Sequence, residues 1–380
     1  MNKNNYDVII VGGGLAGLVA SILLSRQQKK VLLLEKNGYP FHKVCGEYVS
    51  NEVLPFLQSI GFNPFEHGAA AISRLRISTP SGKNIVANLD VGGFGLSRYT
   101  MDEALFHLAV KNGSTVLTGM RVSEIIFNDQ LFNVKTYSDD AFFSPIVIGS
   151  YGKRDTLDKK LNRDFIQSKT GYMGVKYHIK TDYPKQEVGL DNFNGGYCGI
   201  VKIENSQYNL CYLYQRNKDV SFSSIPELEQ EVLYKNPVIK NIFSSSEFIY
   251  KEPEVINEIS FSRKPLIENH ILMCGDSAGL ITPLCGNGMS IAIRSAKLLC
   301  DLLISSGLLN HQPITAVNRA KMEQNYQQLW NSQFRRQLFL GRSLQQFFGN
   351  AMVSEWGLRT IHSIPSLERY LISSTHGSQL

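Results

Sequence analysis

The chain is 380 residues long, 43% hydrophobic and 19% charged, the composition of a folded globular protein with room for two or more domains and a large core. A disordered chain is excluded, and no apolar run approaches the 18 or so residues of a spanning helix. The net charge of +6 is modest, with seven Lys/Arg against three acids in residues 311–380, and no nucleic-acid-binding motif accompanies it.

In chain order, the N-terminus leads almost directly into a strand, so no signal peptide and a cytoplasmic location are expected. A buried parallel strand, Tyr6-Asp7-Val8-Ile9-Ile10-Val11, runs into Gly12-Gly13-Gly14-Leu15-Ala16-Gly17, and a second strand, Val31–Leu34, ends on Glu35. This is a nucleotide-binding βαβ unit. Gly12 permits the tight turn, Gly14 lets backbone approach a pyrophosphate, and Gly17 lets the helix pack closely on the sheet. The free N–H groups of the helix start, around Leu15 and Ala16, suit a diphosphate. Glu35 lies 18 residues beyond Gly17, about where a carboxylate accepts from a ribose 2′-OH, with Lys36 beside it.

A loop with Pro40, His42, Lys43, Cys45 and Gly46 follows, then a helix over Ser50–Ile60 and short strands over 72–96. Met101–Asn112 is predicted helical, with Asp102 and Glu103 in its first turn. Thr115–Leu117, Val122–Phe127 and Pro145–Gly149 are predicted strands. From Gly171 the pattern becomes an antiparallel sheet, ending in the hairpin Tyr197–Ile203, Asn205-Ser206, Tyr208–Tyr214. A helix over Ile225–Tyr234 comes next, then a buried strand, Ile271–Met273, leading into Cys274-Gly275-Asp276-Ser277-Ala278-Gly279. Asp276 is placed to accept from ribityl hydroxyls, or alternatively to cap a helix. Pro283, Gly286, Asn287 and Gly288 precede a helix that runs to about Ile304, whose N-terminus would stabilise an anionic reduced ring. Residues 315–348 are largely helical.

Together, the early glycine motif, the Gly275–Gly279 segment and Pro283-x-x-Gly286-x-Gly288 resemble the FAD-dependent para-hydroxybenzoate-hydroxylase-type superfamily. Lys43-Val44-Cys45-Gly46-Glu47-Tyr48-Val49-Ser50 resembles its geranylgeranyl reductase branch, and Leu96-Ser97-Arg98 matches a segment whose arginine approaches the FAD. The resemblance spans roughly residues 6–300. It implies an α/β fold, α+β overall: a Rossmann-like FAD-binding domain (residues 1–75, 98–150 and 263–310) with an inserted antiparallel β-sheet substrate domain (76–97 and 151–262); the residue pattern, not the resemblance, adds a C-terminal helical region (311–380). The resemblance also implies non-covalent FAD, held by Gly12, Gly14, Leu15, Ala16, Gly17, Glu35, Lys36, Lys43, Arg98, Asp276, Pro283, Gly286, Asn287 and Gly288. Cys45 would be the catalytic candidate on the substrate side of the ring; its alternative is a small buried hydrophobe.

The chain also departs from its relatives. Hydroxylases carry an Asp-Gly pair where Ser150-Tyr151-Gly152-Lys153-Arg154 stands, and halogenases carry a Trp-x-Trp-x-Ile-Pro segment, whereas the tryptophans here are Trp330 and Trp356. No second GxGxxG supplies a separate NAD(P) domain, so NAD(P)H or a reduced electron carrier is the candidate external reductant. Lys153 and Arg154 are expected on a solvated turn. Tyr172, Tyr177, Tyr197, Tyr212 and Tyr214 line either a cavity wall or a sheet core. The stripe Tyr326, Trp330, Phe334, Leu338 is expected to pack on the protein's own body, with weak peripheral membrane contact as the minority use. The six cysteines lack a CxxC pair and the histidines are isolated, so no metal or disulfide framework is expected. The expected activity is reduction, or in reverse dehydrogenation, of carbon–carbon double bonds in a lipophilic or polyunsaturated, free or carrier-bound, substrate by hydride transfer at flavin N5. The alternatives are a flavin monooxygenase or halogenase acting on an aromatic or polyketide-type substrate, and an electron-transfer partner with no substrate of its own.

Overall fold

The computed structural model describes residues 4–167, 170–217, 222–280, 287–310 and 313–347. Pro283 and Gly286, together with Cys285 and Trp356, lie outside them.

The first unit runs β1 (Val8–Val11), α1 (Leu15–Arg26), β2 (Val31–Leu34). Every residue of β1 and β2 is buried, as the unbroken apolar runs require of parallel strands covered on both faces. β3 (Tyr48–Ser50) and α2 (Leu54–Ser59) follow, so Ser50 ends a strand rather than starting the helix, and its hydroxyl accepts from the Glu52 N–H. β4 (Ala70–Ser78) and β5 (Asn84–Gly95) form a hairpin leading to α3 (Arg98–Lys111). This helix starts a turn earlier than its apolar pattern indicated, because Ser97 caps it through the Thr100 N–H. Asp102 and Glu103 therefore sit beyond the first turn, and Asp102 bonds Arg98 instead of the helix end.

β6 (Thr115–Leu117) precedes a meander, β7 (Val122–Asn128), β8 (Leu131–Thr136) and β9 (Ala141–Ser144), and then β10 (Ile146–Gly149) and α4 (Thr156–Lys160). The antiparallel region comprises β11 (Tyr172–Lys180), β12 (Glu187–Phe193), β13 (Gly196–Lys202) and β14 (Tyr208–Gln215). Helices α5 (Ile225–Glu231) and α6 (Pro237–Ser245) follow, with β15 (Glu247–Phe248) and β16 (Glu254–Asn257). The chain then returns through β17 (Ile267–Glu268) and β18 (Ile271–Met273) to α7 (Gly288–Ser305) and α8 (Ala316–Phe347).

Three sheets organise the described elements, the smallest being the β7-β8-β9 meander. A six-stranded sheet in the order β17-β18-β10-β1-β2-β6 is parallel from β18 to β6. A nine-stranded sheet runs β15-β11-β14-β13-β12-β4-β5-β3, with β16 on β11. In the first, strands distant in sequence meet through the core, so β18 joins β10 and carries the Asp276 segment next to the glycine turn. One core cluster fills this body and extends under α7 and α8, while a second lies between the nine-stranded sheet and α5–α6. Among the described residues, no helix is long and apolar enough to cross a membrane.

Candidate functional site: a glycine-lined cleft facing a sheet

The three motif glycines serve different ends. Gly12 has φ +104°, and a β-carbon there would lie 2.5 Å from Ser150 O. At Gly17 it would lie 2.0 Å from Gly12 O, so only glycine lets α1 sit this close to the turn. Gly14 is otherwise: a β-carbon would meet nothing nearer than Arg98 Nη2 at 3.8 Å and Lys43 Nζ at 4.0 Å. Its bare backbone thus faces a space bordered by two cations. Among the described residues no side chain caps α1, and its first turn holds no acid, so the amides of Leu15, Ala16 and Gly17 at the helix start have no side-chain acceptor. This donor set fits a diphosphate.

Glu35 is buried, with Oε2 accepting from Gly13 N at 2.7 Å and Oε1 from Asn37 N at 2.9 Å. It straps the glycine turn, and its remaining lone pairs are available to a ribose. Lys36 beside it pairs with Asp155 at 3.0 Å. A cavity at the ends of β1 and β2 is lined by Gly12, Glu35, Lys36, Arg121, Tyr151 and Asp155, in the crevice at the carboxyl ends of the strands where open α/β sheets take ligands.

Arg98 grips Asp102 through Nε and Nη2, both at 2.7 Å, and Lys43 reaches the same carboxylate at 2.8 Å. Burial opposes the charges of Arg98 and Asp102. Arg98 and Lys43 nonetheless hold the Asp102 carboxyl below its usual range, and Asp102 holds the Arg98 guanidinium above its own, with help from Cys45 and Asp276. The two cations are therefore fixed side by side, and Asp102 neutralises only part of their charge.

The second segment arrives from β18. Gly275 has φ +62°, and a β-carbon there would lie 2.9 Å from Ala16 Cβ, so the two glycine-rich segments touch. Asp276 lies in the short turn Gly275–Ser277, half-exposed beside otherwise buried neighbours. Lys264, which sequence reasoning passed over, laces the segment to the loop after β10 by donating to Asp276 O at 2.8 Å and Lys153 O at 2.7 Å. Burial pushes its ammonium down to about 8. Asn287 and Gly288 form the start of α7, which packs on the same turn and on α1.

Cys45 sits half-exposed on the loop between this cleft and the nine-stranded sheet. Donors from both sides hold the loop carbonyls: Lys176 of β11 on Lys43 O, Asn209 of β14 on Cys45 O and Lys153, after β10, on Val44 O, each at 3.2 Å. Lys153 is thus a loop anchor, contrary to the expected solvated turn; Arg154 likewise donates to Ile166 O at 3.2 Å. Opposite the loop, the mid-strand residues Leu190, Gly199 and Cys211 are paired neighbours across β12, β13 and β14. Each is half-exposed within an otherwise buried stretch. A β-carbon at Gly199 would meet Cys211 O at 3.6 Å and Leu190 Cδ2 at 3.7 Å, ordinary contact distances, so the row is apolar and tolerates a small side chain at its centre. Burial, with Cys45 adding to it, pushes the Cys211 thiol up to about 12.

The tyrosines divide between the two faces. Tyr172 and Tyr197 join Leu190, Leu213, Ile259 and Leu280 on the cleft side, whereas Tyr177, Tyr212 and Tyr214 belong to the core under α5 and α6. The stripe Tyr326, Trp330, Phe334, Leu338 is buried in the protein's own core.

Residues 10–80 match the profile of the NAD(P)-binding Rossmann-like domain. The chain is 26% identical to a digeranylgeranylglycerophospholipid reductase of Methanococcus vannielii, over 87% of this chain and 85% of that protein. It is 21% identical to conditioned medium factor receptor 1 of Dictyostelium discoideum, over 91% of this chain and 71% of that protein. The fold of this chain superposes on a geranylgeranyl bacteriochlorophyll reductase-like protein of Thermoplasma acidophilum with a TM-score of 0.76 and 21% identity, covering 94% and 90% of the two chains. A flavin-dependent brominase gives a TM-score of 0.77 at 16% identity, covering 98% and 93%.

Proposed function

We propose that this chain reduces carbon–carbon double bonds of a lipophilic substrate, or runs the same reaction in reverse. The observation that carries the reading is the row Leu190, Gly199 and Cys211 beside the Cys45 loop, on the same sheet face as the apolar cluster of Tyr197, Leu213, Ile259 and Leu280. An apolar sheet face beside a diphosphate cradle suits an extended hydrocarbon chain. Bound FAD would supply hydride chemistry there. The diphosphate would lie on Gly14 and the amides of Leu15, Ala16 and Gly17, facing Arg98 and Lys43. Glu35 and Lys36 would take the adenosine end, and Asp276, Asn287 and Gly288 the ring end. We further propose the division into a cofactor unit (residues 1–75, 98–150 and 263–310), a substrate unit (76–97 and 151–262) and a C-terminal region (311–380).

The likeness to an archaeal lipid reductase supports a lipophilic substrate. A monooxygenase or halogenase is the second reading, favoured by the brominase-like fold and opposed by the lack of the Trp-x-Trp-x-Ile-Pro segment. Anaerobic turnover of a polyprenyl substrate, with chemically reduced FAD as electron source, separates the two. Saturated product without oxygen is expected; product that forms only with oxygen overturns the reading.

A further inference from the structure

Glu47 is an unusual residue to find at the end of the Cys45 loop. It is fully buried, and its backbone is left-handed at φ +54°, a conformation that costs a β-carbon-bearing residue energy. Its carboxylate accepts from three donors on two different elements. Oε1 takes the Arg98 N–H at 2.8 Å and Lys176 Nζ at 2.5 Å, and Oε2 takes the His178 ring N–H at 2.8 Å. Burial opposes the Glu47 charge, but Lys176 and then His178 hold its carboxyl below the usual range.

The three donors mark what this acid joins. Arg98 opens α3, so the Glu47 carboxylate holds the helix end that aims the guanidinium at Gly14. Lys176 and His178 are alternate residues of β11, on the sheet face that looks toward the cleft. Lys176 also holds Lys43 O, two residues before Cys45. Glu204, from the β13–β14 turn, adds a second tie to the same helix start by accepting from Ser97 N at 2.9 Å and Thr100 Oγ1 at 2.8 Å. A strained backbone and a buried ion pair are poor devices for stability alone, since apolar residues of the same volume stabilise equally well or better. Both are suited to fixing geometry.

We propose that Glu47 is a positioning residue: through it β11 sets, at a single point, both the backbone of the Cys45 loop and the first turn of α3 that carries Arg98. The proposal rests on the reading above, in which the cleft holds FAD and Cys45 faces the substrate. The test uses the full chain with FAD and compares wild type, Glu47→Gln and the double variant Glu47→Met/Lys176→Met, which removes the buried charges together. Alkylation of Cys45 by iodoacetamide is followed by peptide mapping, alongside FAD affinity and the melting temperature. In Glu47→Gln, Cys45 is expected to react at least about 5-fold faster and FAD to bind at least about 10-fold more weakly. In the double variant the melting temperature should recover toward wild type while Cys45 remains fast. Wild-type alkylation in either folded variant overturns the proposal and leaves Glu47 a residue of folding only. Should wild-type protein itself take up no FAD, the functional reading fails, while the alkylation comparison still decides the role of Glu47.

Discussion

At Gly12 and Gly14 the same residue type answers two different demands, and substitution separates them. At Gly12 a side chain meets the backbone of Ser150 and Tyr151 at 2.5–2.6 Å in a left-handed conformation, so Gly12→Val should not fold. Gly14 has φ −81° and open space, so Gly14→Val should melt within a few degrees of wild type yet lose FAD affinity at least about 100-fold, because the added methyls fill the anion's place. Titration of FAD into both proteins, with circular dichroism as the folding control, checks this. Cys45→Ala should keep its flavin and slow turnover by about 10-fold or more if the thiol takes part in proton delivery; an unchanged kcat removes it from the chemistry. Lys264 makes a pH prediction. Its folded value of about 8 lies below the ordinary 10.5, so between these the unfolded chain binds a proton that the folded chain does not. Stability then rises as pH climbs from about 8 toward 10.5, by up to about 3 kcal/mol at 1.36 kcal/mol per unit. Urea unfolding at pH 7 and 9.5 should show this rise in wild type and not in Lys264→Met.

Among the elements, β12, β13 and β14 place one half-exposed residue each in register, and only the middle one lacks a side chain. Gly199→Val places its β-carbon at ordinary contact distances of 3.6 Å or more, so the protein should fold normally while bulk is added at the centre of this row. The expected result is a KM for long-chain substrates raised about 10-fold or more, with short-chain substrates spared, since a methyl or two in an apolar pocket is worth about 1–3 kcal/mol. Equal effects on both chain lengths would show that the row does not line the substrate path. The helix α8 works by packing. Tyr326 is wholly buried and its hydroxyl donates to Met273 O at 2.6 Å, tying the helix to the strand that leads into Asp276. Tyr326→Phe leaves that carbonyl without its donor and should cost about 1–3 kcal/mol of stability, read from urea melts.

For the whole molecule, a cofactor bound only by the folded state raises stability by mass action, about 2.7 kcal/mol at a hundredfold excess over Kd. Added FAD should therefore raise the melting temperature of wild type but not of Gly14→Val. The parts of this assembly legible in the amino-acid order were those set by local need. The strand–glycine–helix unit shows because a tight turn, a close helix and a bare helix end each demand glycine at one position. The buried strands show as unbroken apolar runs, and the α8 stripe as a four-residue spacing. What escaped was set by partners far apart in the chain. Glu47 meets Lys176 and His178 129 and 131 positions away; Lys153 turns inward because the Val44 carbonyl happens to lie there; Tyr177 and Tyr197 differ only in which sheet face they occupy. The order of residues by itself determined a nucleotide-binding α/β unit joined to an antiparallel sheet, since those patterns follow from backbone geometry and side-chain period. Only the tertiary structure decided which charges pair, which face of the sheet looks on the cleft and which residues on that face stay half-exposed, because burial and hydrogen bonding act between elements whose spacing in the chain carries no signal.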